Sequence, residues 1–106
     1  MRAVVLTLGL AVLACIAGEA AAKPATVQVA IENMKYSPAE ATAKVGDTVV
    51  WTNKDVVAHT VTAQSASFDS KIIPPGATWK YVVRKKGDFS YHCTYHQPMT
   101  GRLIVR

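Results

Sequence analysis

The chain has 106 residues, half of them hydrophobic, which is enough for one domain with a core and too apolar for a disordered segment. Twelve Lys and Arg against seven Asp and Glu give a formal net charge of +5. No arginine-rich run with interleaved aromatic residues occurs, and this argues against nucleic-acid binding.

The first 22 residues have the composition of an export leader. Arg2 precedes an apolar run from Ala3 to Ala17, and Ala20–Ala22 offers a small-residue cleavage site. The apolar run is shorter than the ~20 residues that a membrane-spanning helix needs. We therefore predict a signal peptide over residues 1–22, cleavage after Ala22 and export to the periplasm.

Cys15 leaves a second processing route open. The tetrapeptide VLAC, which ends at Cys15, resembles the lipobox at which some bacterial lipoproteins are cut and acylated.

Cleavage after Ala22 removes one basic and one acidic side chain, so the net charge of the remaining chain stays at +5. This excess suits an acidic protein partner or an anionic lipid. We interpret the short basic cluster Arg84–Lys86 as a solvated turn.

From residue 23 onward, short strand-like runs alternate with turn signals about every ten residues, as is typical of an all-β sandwich or barrel. Apolar residues alternate in the runs that begin at Val27, Val49 and Phe89, and no segment has the period of an amphipathic helix. We predict one all-β domain over residues 23–106. Its turns are predicted at Gly46-Asp47, Asn53–Asp55, Pro74–Gly76 and Gly87-Asp88, and much of its core from Trp51, Trp79, Phe89 and Tyr91.

The stretch CTYHQPM near the C-terminus contains Cys93, His96 and Met99, and His59 lies 34 residues before the cysteine. A thiolate, two imidazoles and a distant thioether are the ligands of a trigonal copper site with a weak axial bond. Structural zinc would take four strong nitrogen or sulfur ligands, and a hard cation would take oxygen. One cysteine lies outside the leader, so a mature chain cannot bridge two coppers with two thiolates. We predict one copper ion held by these four side chains.

Each of these residues also has an ordinary structural interpretation when it is taken alone. A single histidine in a strand is more often a hydrogen-bonded structural residue, and a buried cysteine or methionine more often packs in the core. Their joint spacing favours the ligand interpretation. His92 is different: side chains alternate along a strand, and Tyr91 and Cys93 would face the core, so His92 would face the other way.

Four motifs carry a family resemblance. They are MKYSP from Met34, KVGDTVVWTN from Lys44, HTVT from His59 and GDFSYHCTYHQPMTGRLIV from Gly87. In these motifs the chain resembles the cupredoxins, the type 1 blue copper proteins, and among them those of the amicyanin type, which have two residues on each side of the loop histidine. The resemblance implies a Greek-key β-sandwich with copper at one end, and His59, Cys93, His96 and Met99 as its ligands.

The resemblance also implies a function. A cupredoxin-like protein would be a small monomer that carries single electrons between exported redox proteins, from a dehydrogenase or reductase to a cytochrome c or oxidase. His96 would lie in an apolar surface patch and pass the electron. The sequence contains no evident nucleophile and base, paired carboxylates or open metal position, so we expect neither an enzyme nor a small-molecule substrate. The alternative is copper handling, in which the chain stores or delivers the metal.

Two backbone groups beside the predicted ligands are candidate donors to the cysteine sulfur. Amicyanin-type proteins usually have proline two residues after the ligand cysteine, whereas this chain has Tyr95, whose backbone N–H is free to donate to Cys93. The backbone N–H of Thr60, which follows His59, is the second candidate. Hydrogen bonds to a thiolate sulfur reduce its donation to copper(II) and favour copper(I).

Overall fold

The computed structural model of the protein describes residue 3 and residues 23–106. The predicted leader lies outside the described residues except for Ala3, so both processing routes stay predictions. Within the described part, no helix is long and apolar enough to cross a membrane. The eight strands there are β1 Thr26–Glu32, β2 Lys35–Ser37, β3 Glu40–Ala43, β4 Thr48–Asn53, β5 Thr62–Ala63, β6 Thr78–Val82, β7 Gly87–His92 and β8 Thr100–Val105.

The strands form two four-stranded sheets, with the orders β2-β1-β4-β6 and β3-β8-β7-β5. The β1–β4 and β3–β8 pairs are parallel, and the other strand pairs are antiparallel. A parallel pair cannot be closed by a tight hairpin, so the chain crosses between the sheets before it returns. The result is a Greek-key β-sandwich, and the predicted fold class is confirmed.

The core between the sheets is built around Trp51 and Tyr91. Both are fully buried, their rings meet edge to face at 5.7 Å, and Trp51 Nε1 donates a hydrogen bond of 3.2 Å to the Tyr91 hydroxyl. Trp79 and Phe89 are only partly buried, while Phe68, which the alternating runs did not identify, is part of the core. Because the polar ends of the two central rings satisfy each other, their burial leaves no polar atom unpaired.

Three local predictions differ from the structure. Gly87 and Asp88 are not a turn, since they begin β7 and pair with Val105 and Ile104 of β8. The HTVT segment also predicts a strand in which His59, Val61 and Ala63 share one face. In the structure only Thr62–Ala63 joins a sheet, and His59 forms an isolated bridge to Ile73. Strands β2 and β3, with three and four residues, are too short for alternation to reveal them.

The hairpin of β7 and β8 positions the candidate site. Strand β7 ends one residue before Cys93 and β8 begins one residue after Met99, so the intervening loop starts and ends at neighbouring points of one sheet edge. Gly101 allows this hairpin to pack closely. It pairs with Tyr91, and a Cβ on Gly101 would lie 2.3 Å from Tyr91 Cζ.

We expect Gly101→Ala to lower the free energy of unfolding by about 1–3 kcal/mol, because the added methyl must displace a fully buried ring. Urea denaturation followed by tryptophan fluorescence measures this change. The control is Thr100→Ala at the exposed neighbouring position, for which about 0.5 kcal/mol is expected. Equal losses in the two variants would contradict the close-approach explanation.

Candidate metal centre

The loop between β7 and β8 is folded by its own backbone hydrogen bonds. The Cys93 N–H donates to the Met99 carbonyl at 3.1 Å, and the Met99 N–H donates to the His96 carbonyl at 2.8 Å. The His96 N–H in turn donates to the Cys93 carbonyl at 3.3 Å. These bonds draw the three predicted ligands of CTYHQPM into one compact turn, in which the cysteine is fully buried and Met99 is 4% exposed.

His59 lies beside this loop, although it belongs to a separate part of the chain. Backbone hydrogen bonds with Ile73 in both directions hold it, and its side chain is fully buried. Its Nδ1 lies 3.7 Å from the Cys93 sulfur. For metal–nitrogen and metal–sulfur bonds of about 2.0 and 2.3 Å, the lengths that zinc makes, this separation corresponds to an angle of about 120° at the ion. The two atoms are therefore spaced as neighbouring ligands of a trigonal site.

Asp55 decides which ring nitrogen of His59 is available. The Asp55 carboxylate lies 2.7 Å from Nε2. Burial alone would raise the pKa of this carboxyl, but hydrogen bonds from the Met34 N–H, from His59 and from the Asn33 N–H outweigh it and lower the pKa. The ionised carboxylate can only accept, so Nε2 carries the proton and the lone pair of Nδ1 faces the sulfur. Such a partner orients a metal-ligating histidine and increases its basicity.

Asn53 shapes the loop that carries Asp55 and His59. It is fully buried at the end of β4. Its Nδ2 donates to the carbonyls of Val57 and Ile73, each at 2.9 Å, and its Oδ1 accepts from the Asp55 N–H at 3.0 Å. Three hydrogen bonds of one amide side chain therefore brace this loop. The sequence marked Asn53 only as a turn residue.

Thr60 joins the two parts of the site. Its N–H donates to the Cys93 sulfur at 3.4 Å, as expected, and its carbonyl accepts a short hydrogen bond from the Tyr36 hydroxyl. Its Oγ1 accepts from the Thr94 N–H at 3.0 Å. The hydrogen bonds of the described residues do not include one from the Tyr95 N–H to the sulfur. Of the two predicted sulfur donors, the structure thus supplies only Thr60.

His96 is the most exposed of the four predicted ligands. It is half-buried, and its ring centroid lies 5.4 Å from that of His59. One edge of the residue lines a shallow surface depression whose other lining residues are Met34, Lys35, Tyr95, Gln97, Pro98 and Met99. Met34 and Tyr95 are 41% and 55% exposed. The depression is therefore a mostly apolar patch beside a candidate ligand.

The four predicted ligands belong to neighbouring parts of the fold, but they do not form a complete coordination site. In residues 23–106, no three His, Cys, Asp or Glu side chains are already set at metal-binding distances. The preset pair is His59 and Cys93, while the His96 ring lies 5.4 Å from that of His59 and Met99 is buried at the end of the same loop as Cys93. One soft thiolate and two imidazoles with a buried thioether suit copper and would not suit a hard cation. His92 is half-buried between the buried Tyr91 and Cys93, which is the alternation that its predicted orientation away from the site requires.

Comparisons with known proteins agree with this arrangement. The sequence model of the cupredoxin-like domain matches residues 4–105. The chain is 35% identical to amicyanin of Paracoccus versutus over 84 residues, which cover 74% of this chain and 64% of that protein. It is 32% identical to chloroplastic plastocyanin of Tetradesmus obliquus over 84 residues, 67% of this chain and 58% of that protein. The alignments thus span less than two thirds of these relatives.

A solved structure gives the same result. The copper(I) form of an amicyanin variant superposes with a TM-score of 0.71 at 30% identity, covering 76% of this chain and 82% of that one. The two-sheet sandwich with a histidine and a cysteine preset at one end is the architecture of a cupredoxin. The chain belongs to the cupredoxin family, and it is similar to amicyanin.

We expect Thr60→Val to lower the free energy of unfolding by about 1–3 kcal/mol, because it leaves the partly buried Thr94 N–H without its acceptor. Thr60→Ser keeps the hydroxyl and loses one methyl, which is worth about 0.8 kcal/mol. Amide hydrogen exchange at Thr94 provides the decisive measurement. It should be faster in the valine variant than in the serine variant, and equal rates would show that the hydroxyl does not hold this amide.

A second substitution addresses the orientation of His59. Asp55→Ala removes the acceptor of Nε2–H, and we expect the affinity for copper(II) to fall by about 10- to 100-fold. Competition with a chelator of known affinity measures this change. The control is Asp69→Ala, which also removes a carboxylate that accepts a backbone N–H but does not contact a histidine. An unchanged affinity in the Asp55 variant would show that the carboxylate does not orient a metal ligand.

Proposed function

We propose that the protein is an exported single-electron carrier whose one copper ion is held by His59, Cys93, His96 and Met99. The observation that carries the proposal is the pair formed by His59 Nδ1 and Cys93 Sγ, 3.7 Å apart in the buried end of the sandwich, with the other ring nitrogen occupied by Asp55. Family membership supports the copper, and the named relatives support electron transfer, since amicyanins and plastocyanins are electron carriers.

The protein's part in such a reaction is to keep the ligands still. When bound, copper supplies a one-electron couple between its cupric and cuprous states. His59 and Cys93 are fully buried and are held from outside by Asp55 and Thr60, so neither side chain has room to move when the charge changes. The Thr60 N–H aimed at the sulfur withdraws electron density from it and favours the reduced state. Little rearrangement accompanies each transfer.

His96 provides the route to a partner. It is the candidate ligand with an exposed edge, and it borders the apolar depression that contains Met34 and Tyr95. A small apolar patch without deep pockets suits brief encounters with a small interface, as redox partners make. We propose a dehydrogenase or reductase as donor and a cytochrome c or oxidase as acceptor. The protein would act in the periplasm, as a monomer and without chemistry of its own.

Copper handling is the competing function. A carrier that delivers copper needs ligands that exchange easily, whereas here the cysteine, His59 and Met99 are at most 4% exposed. Burial of this kind favours slow loss of the metal. Two rates distinguish the two functions, that of electron self-exchange and that of copper transfer to an apo acceptor protein. An electron carrier should show fast self-exchange and slow copper transfer. Rapid metal transfer with slow self-exchange would identify the copper carrier.

Copper loading tests the proposed site directly. We expect one equivalent of copper(II) to give the metal-free protein an intense visible absorption from thiolate-to-copper charge transfer and to protect Cys93 from alkylation. Cys93→Ala should abolish the absorption, and the control His92→Ala, at the adjacent histidine that faces away, should retain it. A protein that stays colourless and remains fully alkylated at Cys93 after loading would overturn the proposed site.

A further inference from the structure

The basic side chains are not spread evenly over the sandwich. Strands β4 and β7 start at the end opposite Cys93, and β3 and β8 finish there. Six of the eleven Lys and Arg residues of 23–106 lie at this far end, all of them exposed. We call it the basic pole and define it by the side chains of Lys23, Lys44, Arg84, Lys85, Lys86 and Arg106.

Hydrogen bonds hold the segments of the basic pole together. The Val45 N–H donates to the Arg106 carbonyl at 3.2 Å, and the Gly46 N–H donates to the Val83 carbonyl at 2.7 Å. The two carboxylate oxygens of Asp47 accept from the N–H groups of Ala25 and Lys44, each at 2.8 Å. Cations from four separate stretches of the chain are therefore fixed on one surface around the Val45-Gly46 turn.

Acidic side chains offset only a small part of this positive charge. Asp47 is buried, with its oxygens occupied by backbone donors, and Asp88 is ion-paired with Arg102. The ion pairs between described residues involve none of the six cations of the basic pole. The positive charge of the pole is thus available to a partner.

At the end that carries the candidate metal centre, positive and negative side chains are more evenly matched. Lys35 is the cross-strand partner of Glu32, and Lys71 pairs with Asp69 at 3.4 Å. The six residues of β7 separate this end from the basic pole by roughly 20 Å, well beyond the ~8 Å screening length at physiological ionic strength. The net charge therefore acts at the pole and contributes little to the docking of a redox partner beside His96.

We propose that the basic pole binds the surface of an anionic lipid bilayer and that the metal end then faces away from the bilayer. Clustered Lys and Arg residues on flexible side chains are attracted to anionic head groups without needing a shaped pocket. The exposed apolar side chain of Val45, at 47% exposure, lies among them and can enter the head-group layer. Apolar and basic residues together favour a lipid surface over an acidic protein.

The course of the chain supports the same orientation. The apolar leader is followed directly by Lys23, so the chain enters the described fold at the basic pole. If Cys15 carries a lipid, the eight residues to Lys23 reach at most about 28 Å, which keeps the pole close to the membrane. If the leader is removed after Ala22, the cations of the pole still provide the attraction. The proposal requires neither processing route and does not depend on copper.

Co-sedimentation with vesicles tests the proposal on the purified protein, with its N-terminus established by intact mass. Binding is compared on vesicles of phosphatidylcholine alone and with one third phosphatidylglycerol. We expect binding to the anionic vesicles only and its loss at high salt. Lys85→Glu with Lys86→Glu should weaken it by at least about 25-fold, taking roughly fivefold for each cation lost. Lys44→Gln with Arg106→Gln, on other segments of the pole, should weaken it by a similar factor.

The matched control is Lys54→Glu with Lys80→Glu, which changes the net charge equally but lies outside the basic pole. It should retain binding within about threefold, since screening confines the effect of distant charges. Equal losses of vesicle binding in the pole and control variants would show that binding depends on net charge alone, and this would overturn the proposal. Absence of binding to anionic vesicles would also overturn it, and binding to soluble polyglutamate alone would assign the pole to an acidic protein.

Discussion

The hydrogen bond from the Thr60 N–H to the Cys93 sulfur is the contact on which the candidate site depends. It joins two segments that are 33 residues apart in the chain. The same residue receives the Tyr36 hydroxyl on its carbonyl and the Thr94 N–H on its side-chain oxygen, so three of its polar groups bind three different parts of the fold. The junction adds to the pairing of β5 with β7, which joins the same two segments, and it lies directly beside the nitrogen and sulfur that are 3.7 Å apart.

Asp55 extends this framework to the surface. Its carboxylate accepts from the buried ring of His59 and also from the backbone N–H groups of Asn33 and Met34. Both residues of that turn have positive φ, 54° and 60°, a conformation that needs support in residues other than glycine. Met34 lines the depression beside His96. One side chain thus positions both a candidate ligand and the rim of the candidate docking patch, so the positions of these two features are coupled.

The two ends of the sandwich carry different kinds of surface. The end with His96 is apolar and nearly balanced in charge, whereas the opposite end collects most of the excess positive charge. Apolar contact gives short-lived encounters that do not require strong electrostatic attraction, while clustered cations give adhesion that salt weakens. In the function that we propose, this division allows one end to exchange partners while the other remains associated with a surface. Strand length keeps the two ends from interfering with each other.

The sequence alone determined the all-β class, the single domain and the candidate ligands, because strand alternation and the spacing of Cys93, His96 and Met99 are local properties. It also predicts that His92 is not a ligand, since the side-chain period of two is intrinsic to a strand. The tertiary structure decided the rest. The partnership of Asp55 with His59, the role of Thr60 over Tyr95 as sulfur donor and the gathering of six cations at one end all depend on segments distant in the chain. Such contacts arise only when the sheets pack, and no pattern within one segment encodes them.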